Sequence, residues 1–226
     1  MDKVVMISGA NRGIGLAVAS ELHRRGYRLS LGMRDPLAHI PFEAFRFAYE
    51  ARDPLSGRRW ADATVEHFGR IDVLINNAGI CTDITLEDGT DELLEETLDI
   101  NVKAPFRLIQ AALPHLRKSG DARVVQIASL SGKRVKNLNA GYQMSKHAVI
   151  ALNHAVRRAG WNDGIRATAI CPGFVNTDMA AGIADLEPQA MTQPEDLALL
   201  IANTIAMPNT ASVAEILVNC RHEDLF

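Results

Sequence analysis

Residues 4–8 (VVMIS) form a short apolar run that feeds directly into SGANRGIG at residues 8–15, and a helix-periodic segment follows over residues 14–25. A chain written this way leaves a strand, turns sharply and enters a helix. Gly9 lets the backbone turn, while Gly13 and Gly15 remove side chains, so that the backbone can approach another group and the helix can pack on the strand. The helix start presents unpaired N–H groups to an anion. Taken alone, the octapeptide fits either a dinucleotide-binding turn or an ordinary glycine turn.

The same alternation continues along the chain. Runs rich in Val, Ile and Leu recur at residues 28–33, 45–49, 72–76, 124–129 and 167–171, each followed by a turn or a longer helix-periodic segment, with a last short run near residues 212–218. This pattern predicts an α/β fold, a doubly wound, Rossmann-like parallel sheet with helices on both faces. A late helix is expected from about Glu195, where Pro194 suits the first turn and Glu195 and Asp196 suit the positive end of the dipole. With 226 residues, 47% of them hydrophobic, and no repeat, linker or low-complexity tract, a single domain over residues 1–226 is expected.

Charge and cysteine usage narrow the functional classes. A net charge of -3, from 24 basic and 27 acidic residues without a basic block, and 5% aromatics argue against nucleic acid as a partner. Cys81, Cys171 and Cys220 form no CxxC pair, which suits a reducing compartment, and only Cys81 lies beside a candidate site motif. No leader pattern and no window of about 18 apolar residues occurs, so a cytoplasmic protein without a membrane partner is expected. The seven histidines lack HxxxH and HExxH spacing, so no metal is expected, and His147 is read as a surface residue.

Four more motifs follow the glycine turn in order: NNAG at residues 76–79, Asn101 in LDINVKAPF, Ser129 in QIASLSG with Ser131 as a rival, and Tyr142 and Lys146 in YQMSK; a fifth, ICPGFVNTDM, spans residues 170–179. Each has a plain reading by itself. NNAG serves as an Asn/Gly turn, Asn101 as a polar residue inside a helix, and YxxxK as a chance pair on one helix face. Together, and in this order, they resemble the short-chain dehydrogenase/reductase family, whose glycine turn reads TGxxxGxG with threonine where Ser8 stands here.

The resemblance implies an NADP(H)-dependent oxidoreductase that interconverts a carbonyl and a secondary alcohol, acting on a small molecule and assembling as a homo-oligomer, dimer or tetramer. Tyr142 would be the general acid/base, Ser129 would hold the substrate oxygen, Lys146 would bind the nicotinamide ribose, and Asn101 would order a water linked to Lys146. A free tyrosine has a pKa of about 10. The Lys146 ammonium is expected to lower it. The spacing of thirteen residues to Tyr142 favours Ser129 over Ser131.

By the same resemblance, the cofactor would meet Ser8, Gly9, Asn11, Arg12, Gly13, Ile14 and Gly15 of the turn, Asn77, Ala78 and Gly79 of NNAG, and Pro172, Gly173, Val175 and Thr177 beyond the sixth strand. Glu50 and Ala51 would border the adenine. Members that use NAD carry an acidic residue at the end of the second strand, where this chain has Met33 followed by Arg34. Arg12 and Arg34 favour the 2′-phosphate of NADP(H) over NAD(H). A register shift of two residues would make Asp35 a ribose acceptor instead.

Three departures from the family pattern are expected to matter. Pro36 and Pro41 leave no helix between the second and third strands. The substrate lid, about residues 178–194, is short, and SVAEILVNCRHEDLF replaces a glycine-rich last strand, which puts a second subunit interface in doubt. The competing readings are a regulatory protein that binds the dinucleotide without turnover, and a dehydratase or epimerase on the same fold.

Overall fold

The computed structural model describes residues 3–223, so the ends of the chain, including residues 224–226 of the C-terminal sequence considered above, lie outside the described residues. The first strand, β1 (Val4–Ser8), is buried at all five positions, because helices cover both of its faces. It pairs in parallel with β2 (Arg28–Met33) on one side and β4 (Val73–Asn76) on the other, with Val5 opposite both Leu29 and Val73. With β3 (Phe45–Ala48), β5 (Arg123–Ile127), β6 (Arg166–Pro172) and β7 (Glu215–Val218), it forms one seven-stranded sheet in the order β3-β2-β1-β4-β5-β6-β7. Every pairing is parallel, and the chain is a doubly wound, Rossmann-like α/β fold.

Successive strand residues serve opposite layers. Ile7 faces α1 (Gly13–Arg24) and α6 (Pro194–Ala206), where it joins Val18, Leu22, Leu197 and Ile201. Met6 faces α2 (Ser56–Phe68) and α4 (Ala104–Ser119), with Trp60, Leu74, Leu108 and Leu116. Burying each such side chain contributes roughly 1.5–3 kcal/mol. Gly32 lets Trp60 lie flat on β2, since a Cβ there would stand 2.6 Å from the indole ring. The indole N–H donates to Ser30 Oγ at 2.9 Å.

Residues 34–44 carry no helix, as the two prolines predict, and Arg46 ties this loop down by donating to the Ala38 carbonyl. Most boundaries fall within one residue of the sequence reading, and two differ by more. β5 stops at Ile127, because Ser129 turns to accept the Ser131 N–H at 3.0 Å and caps a short 3-10 turn, Leu130–Gly132. β7 starts at Glu215 because Ser212, Val213 and Ala214 act as acceptors for Arg157, Thr168 and Asn153. After α3 (Asp91–Leu98), a π turn at Asp99–Lys103 precedes α4, and α5 (Ala140–Gly160) packs beneath β5 and β6. Among the described residues no helix is long and apolar enough to cross a membrane.

Candidate active site

The strand order reverses between β1 and β4, and a cleft of about 1270 Å³ opens at the carboxyl ends of the strands around that point. Gly9 and Gly13, at φ 69° and 52°, occupy left-handed conformations that other residues rarely adopt. No side chain caps the start of α1, which leaves its first N–H groups for an anion. Gly9, Asn11, Arg12, Gly13 and Ile14 line the cleft, as do Asn77, Ala78 and Gly79.

Ser8 and Gly15 stand behind this wall rather than on it. Ser8 Oγ accepts the Asn77 and Ala78 N–H groups at 3.0 and 3.1 Å, so it joins the end of β1 to the NNAG turn. A Cβ on Gly15 would lie 2.2 Å from the Gly9 carbonyl oxygen, so this glycine closes the turn from within. Asn77 Nδ2 donates to the carbonyls of Ser8 and Gly9.

Met33, Arg34, Glu50 and Ala51 line the far end of the cleft. Asp35 accepts the Leu37 N–H at 2.9 Å and is engaged in its own turn. Arg12 points the other way: its guanidinium meets Asp178 at 2.9 Å in an exposed ion pair. Arg52, which the sequence reading missed, also lines this end and pairs with Glu96 at 3.5 Å.

Ser129, Tyr142 and Lys146 come together at the opposite end. Tyr142 and Lys146 share one face of α5, one turn apart, with the ammonium 5.5 Å from the phenol ring centre. Lys146 Nζ donates to the Ile127 carbonyl at 2.9 Å. Burial pushes the ammonium down to about 8. It pushes the Tyr142 phenol above its ordinary range, and the Ser129 side chain, which favours phenolate, does not offset this. This reverses the direction expected from Lys146, because the same enclosure that raises the phenol also weakens the ammonium's hold on its proton.

Asn101 lies in the π turn, buried behind the wall. Its Oδ1 accepts the Ile80 N–H at 2.9 Å, and its Nδ2 donates to the Ile80 carbonyl at 2.9 Å and to Ser145 Oγ at 3.0 Å. Ser145 Oγ donates in turn to the Tyr142 carbonyl. Asn139, also missed in the sequence, caps α5 by accepting the Tyr142 N–H at 3.1 Å and donates to the Thr82 carbonyl at 2.9 Å. Its signal was available, an asparagine just before a helix.

Pro172, Gly173, Val175 and Thr177 line the wall beside Ser129, and Cys81 faces them from the NNAG side with its thiol pushed up by burial. His147 is exposed and bonds Gln143 within its own helix. Among the described residues no cluster of His, Cys, Asp or Glu has the makings of a metal site. The cleft fits an extended dinucleotide: a glycine turn and open helix start at its middle, and at one end Gly79, where a Cβ would stand 3.8 Å from Lys146 Nζ.

A family model described as short chain dehydrogenase matches residues 3–187. Agropine synthesis reductase of Rhizobium rhizogenes is 41% identical over 98% of this chain, which spans 53% of that protein, about half its length. Oxidoreductase UcpA of Escherichia coli K12 is 31% identical over 95% of this chain and 84% of its own. Among solved structures, an alcohol dehydrogenase from the archaeon Thermococcus sibiricus, complexed with 5-hydroxy-NADP, superimposes with a TM-score of 0.86 at 27% identity, covering 96% of this chain and 95% of that one.

Proposed function

Since the chain belongs to the short chain dehydrogenase family of NAD(P)-dependent oxidoreductases, we propose that it interconverts a small-molecule carbonyl and a secondary alcohol, with Tyr142 as general acid/base. The observation that carries this reading is the convergence of Ser129, Tyr142 and Lys146 on one wall of the cleft. A bound nicotinamide dinucleotide supplies or accepts the hydride. Tyr142, neutral at pH 7, gives its proton to the carbonyl oxygen in reduction, and Ser129 holds that oxygen against it. Lys146 binds the ribose, and Asn101 positions the Ile80 loop against α5.

NADP(H) is the preferred cofactor on this reading. Arg34 is exposed at the ribose end, Arg12 needs only to leave an exposed partner, and Asp35 lies outside the cleft lining with its carboxylate accepting the Leu37 N–H. The related dehydrogenase with 5-hydroxy-NADP bound agrees. Residues 1–226 act as one catalytic domain with a short lid at about residues 178–194. The protein works in the cytoplasm, where its three cysteines stay free, and assembles as a homo-oligomer through α4 and α5, which expose Phe106 and Met144.

Tyr142→Phe is expected to lower kcat at least about 10²-fold while NADPH binding, followed by fluorescence, stays near the parent value. Near-parent turnover by that variant would sink the mechanism. NADPH binding without oxidation by any of a panel of ketones, aldehydes, 3-oxo esters and quinones would favour a non-catalytic dinucleotide-binding regulator.

A further inference from the structure

Beyond Tyr142 the cleft is walled by the segment after β5, the segment after β6 and the chain that follows β7. Three cations stand there: Arg134, Lys136 and Arg221. Two are already matched. Glu223 accepts both Arg134 Nε and Nη2, at 2.8 and 2.9 Å, and lies 3.0 Å from Lys136 Nζ, with the Arg134 and Glu223 side chains almost wholly buried. This is a closed structural clamp.

Arg221 differs. Its guanidinium sits 5.3 Å from the ring centre of Phe174, which holds a cation in place over an aromatic face. Its ion pair is with Asp185 of the lid at 3.0 Å, and the Asp185 side chain is 75% exposed. An exposed pair of this kind contributes little, so exchanging Asp185 for another carboxylate is close to balance. Of the other carboxylates at this end, Glu223 is neutralised by two cations, Asp178 pairs with Arg12 and Asp83 faces solvent.

The position of Arg221 is fixed by the segment that borders Ser129. Gly173 N–H donates to the Val218 carbonyl at 2.8 Å, and Asn219 Oδ1 lies 2.9 Å from where a Cβ on Gly173 would stand. The Arg221 N–H donates to that same Asn219 Oδ1 at 3.4 Å. Pro172, one residue earlier, accepts Ser129 Oγ at 3.4 Å. The apolar surface at this end comes from Phe174, Leu138, Met179 and Ile183, with Ser131, Asn137 and Asn139 as neutral polar neighbours.

We propose that the substrate is an oxo-acid or hydroxy-acid whose carboxylate, separated from the reacting carbon by an apolar stretch, is bound by Arg221 in exchange for Asp185. Arg221 is then the residue that sets substrate class. This inference rests on the reading of Tyr142 and Ser129 as the reacting end of the cleft. A guanidinium meets a carboxylate through paired N–H donors, which Asp185 only partly uses.

The test uses matched pairs of oxo-acids and their methyl esters, with two to five carbons between carbonyl and carboxyl, assayed by NADPH oxidation. In at least one pair the acid is expected to show a kcat/KM tenfold or more above its ester. Arg221→Met, which keeps an apolar stem over Phe174, should cut that preference at least tenfold, through KM for the acid. Asp185→Asn should lower KM for the acid two- to threefold. Equal use of acid and ester in every pair, or an unchanged preference in Arg221→Met, would overturn the assignment. Calorimetric binding of the same acids to the NADP-loaded protein reads the anchor without turnover. Acid binding that is lost in Arg221→Met, with no reduction, would retain the anchor and refute the Tyr142 mechanism; no acid binding at all would refute the anchor.

Discussion

At the scale of single residues, the site combines groups that burial weakens. Lys146 is enclosed, and its ammonium is held near 8 against an ordinary 10.5. A lysine whose folded value is depressed binds its proton more readily in the unfolded chain, so its unfavourable contribution is full below about pH 8 and fades as pH rises towards 10.5. Lys146→Met is therefore expected to raise Tm at pH 7 by at least about 2 °C and to lose that advantage by pH 10.5, measured by thermal melts across the range. A variant less stable than the parent at pH 7 would show that the bond from Nζ to the Ile127 carbonyl outweighs the burial of charge. The catalytic candidates were legible in the sequence because Asn101, Ser129, Tyr142 and Lys146 stand in motifs whose order after the glycine turn resembles one family, whereas YxxxK alone reads as a chance pair on a helix face. The engagement of Arg12 by Asp178, 166 positions away, was not, because no local pattern links a glycine turn to a distant lid.

At the scale of elements, the strands were readable because burial on both faces writes short unbroken apolar runs, as at Val4–Ile7 of β1 and Val73–Ile75 of β4. The π turn that carries Asn101 was not, since one wide turn inside a helical stretch leaves no period of its own. The chain after β7 was equally opaque, because its order comes from tertiary ion pairs. Glu223 is enclosed, which alone would raise its pKa, yet Lys136, Arg134 and Asn219 outweigh that and hold it at about 2. Its contribution is present above the ordinary carboxylate value of 4.5 and is lost as pH falls from there towards 2. Glu223→Gln is expected to lower unfolding free energy in urea by about 1.5–3 kcal/mol at pH 7. The difference from the parent should shrink on acidification, and faster hydrogen exchange should appear at residues 131–136. An unchanged stability at pH 7 would mean that the clamp contributes nothing.

At the scale of the molecule, the cofactor is an element of the fold's stability as well as its chemistry. A ligand at a hundred times its Kd adds about 2.7 kcal/mol, which for a chain of this size is about 5–10 °C in Tm. NADPH is expected to produce such a shift, NADH at the same concentration less than half of it, and Arg12→Ser should erase the difference. Equal shifts in the parent protein would abolish the assigned preference, and a larger shift with NADH would reverse it. The sheet order has one more consequence, which belongs to synthesis. β1 sits between β2 and β4, and Val5 meets Val73 only after 68 further residues have been made. At 5–20 residues per second that takes about 3–14 s. For that interval the nascent chain carries an apolar strand with at least one side unpaired, a segment exposed to mispairing until β4 is made.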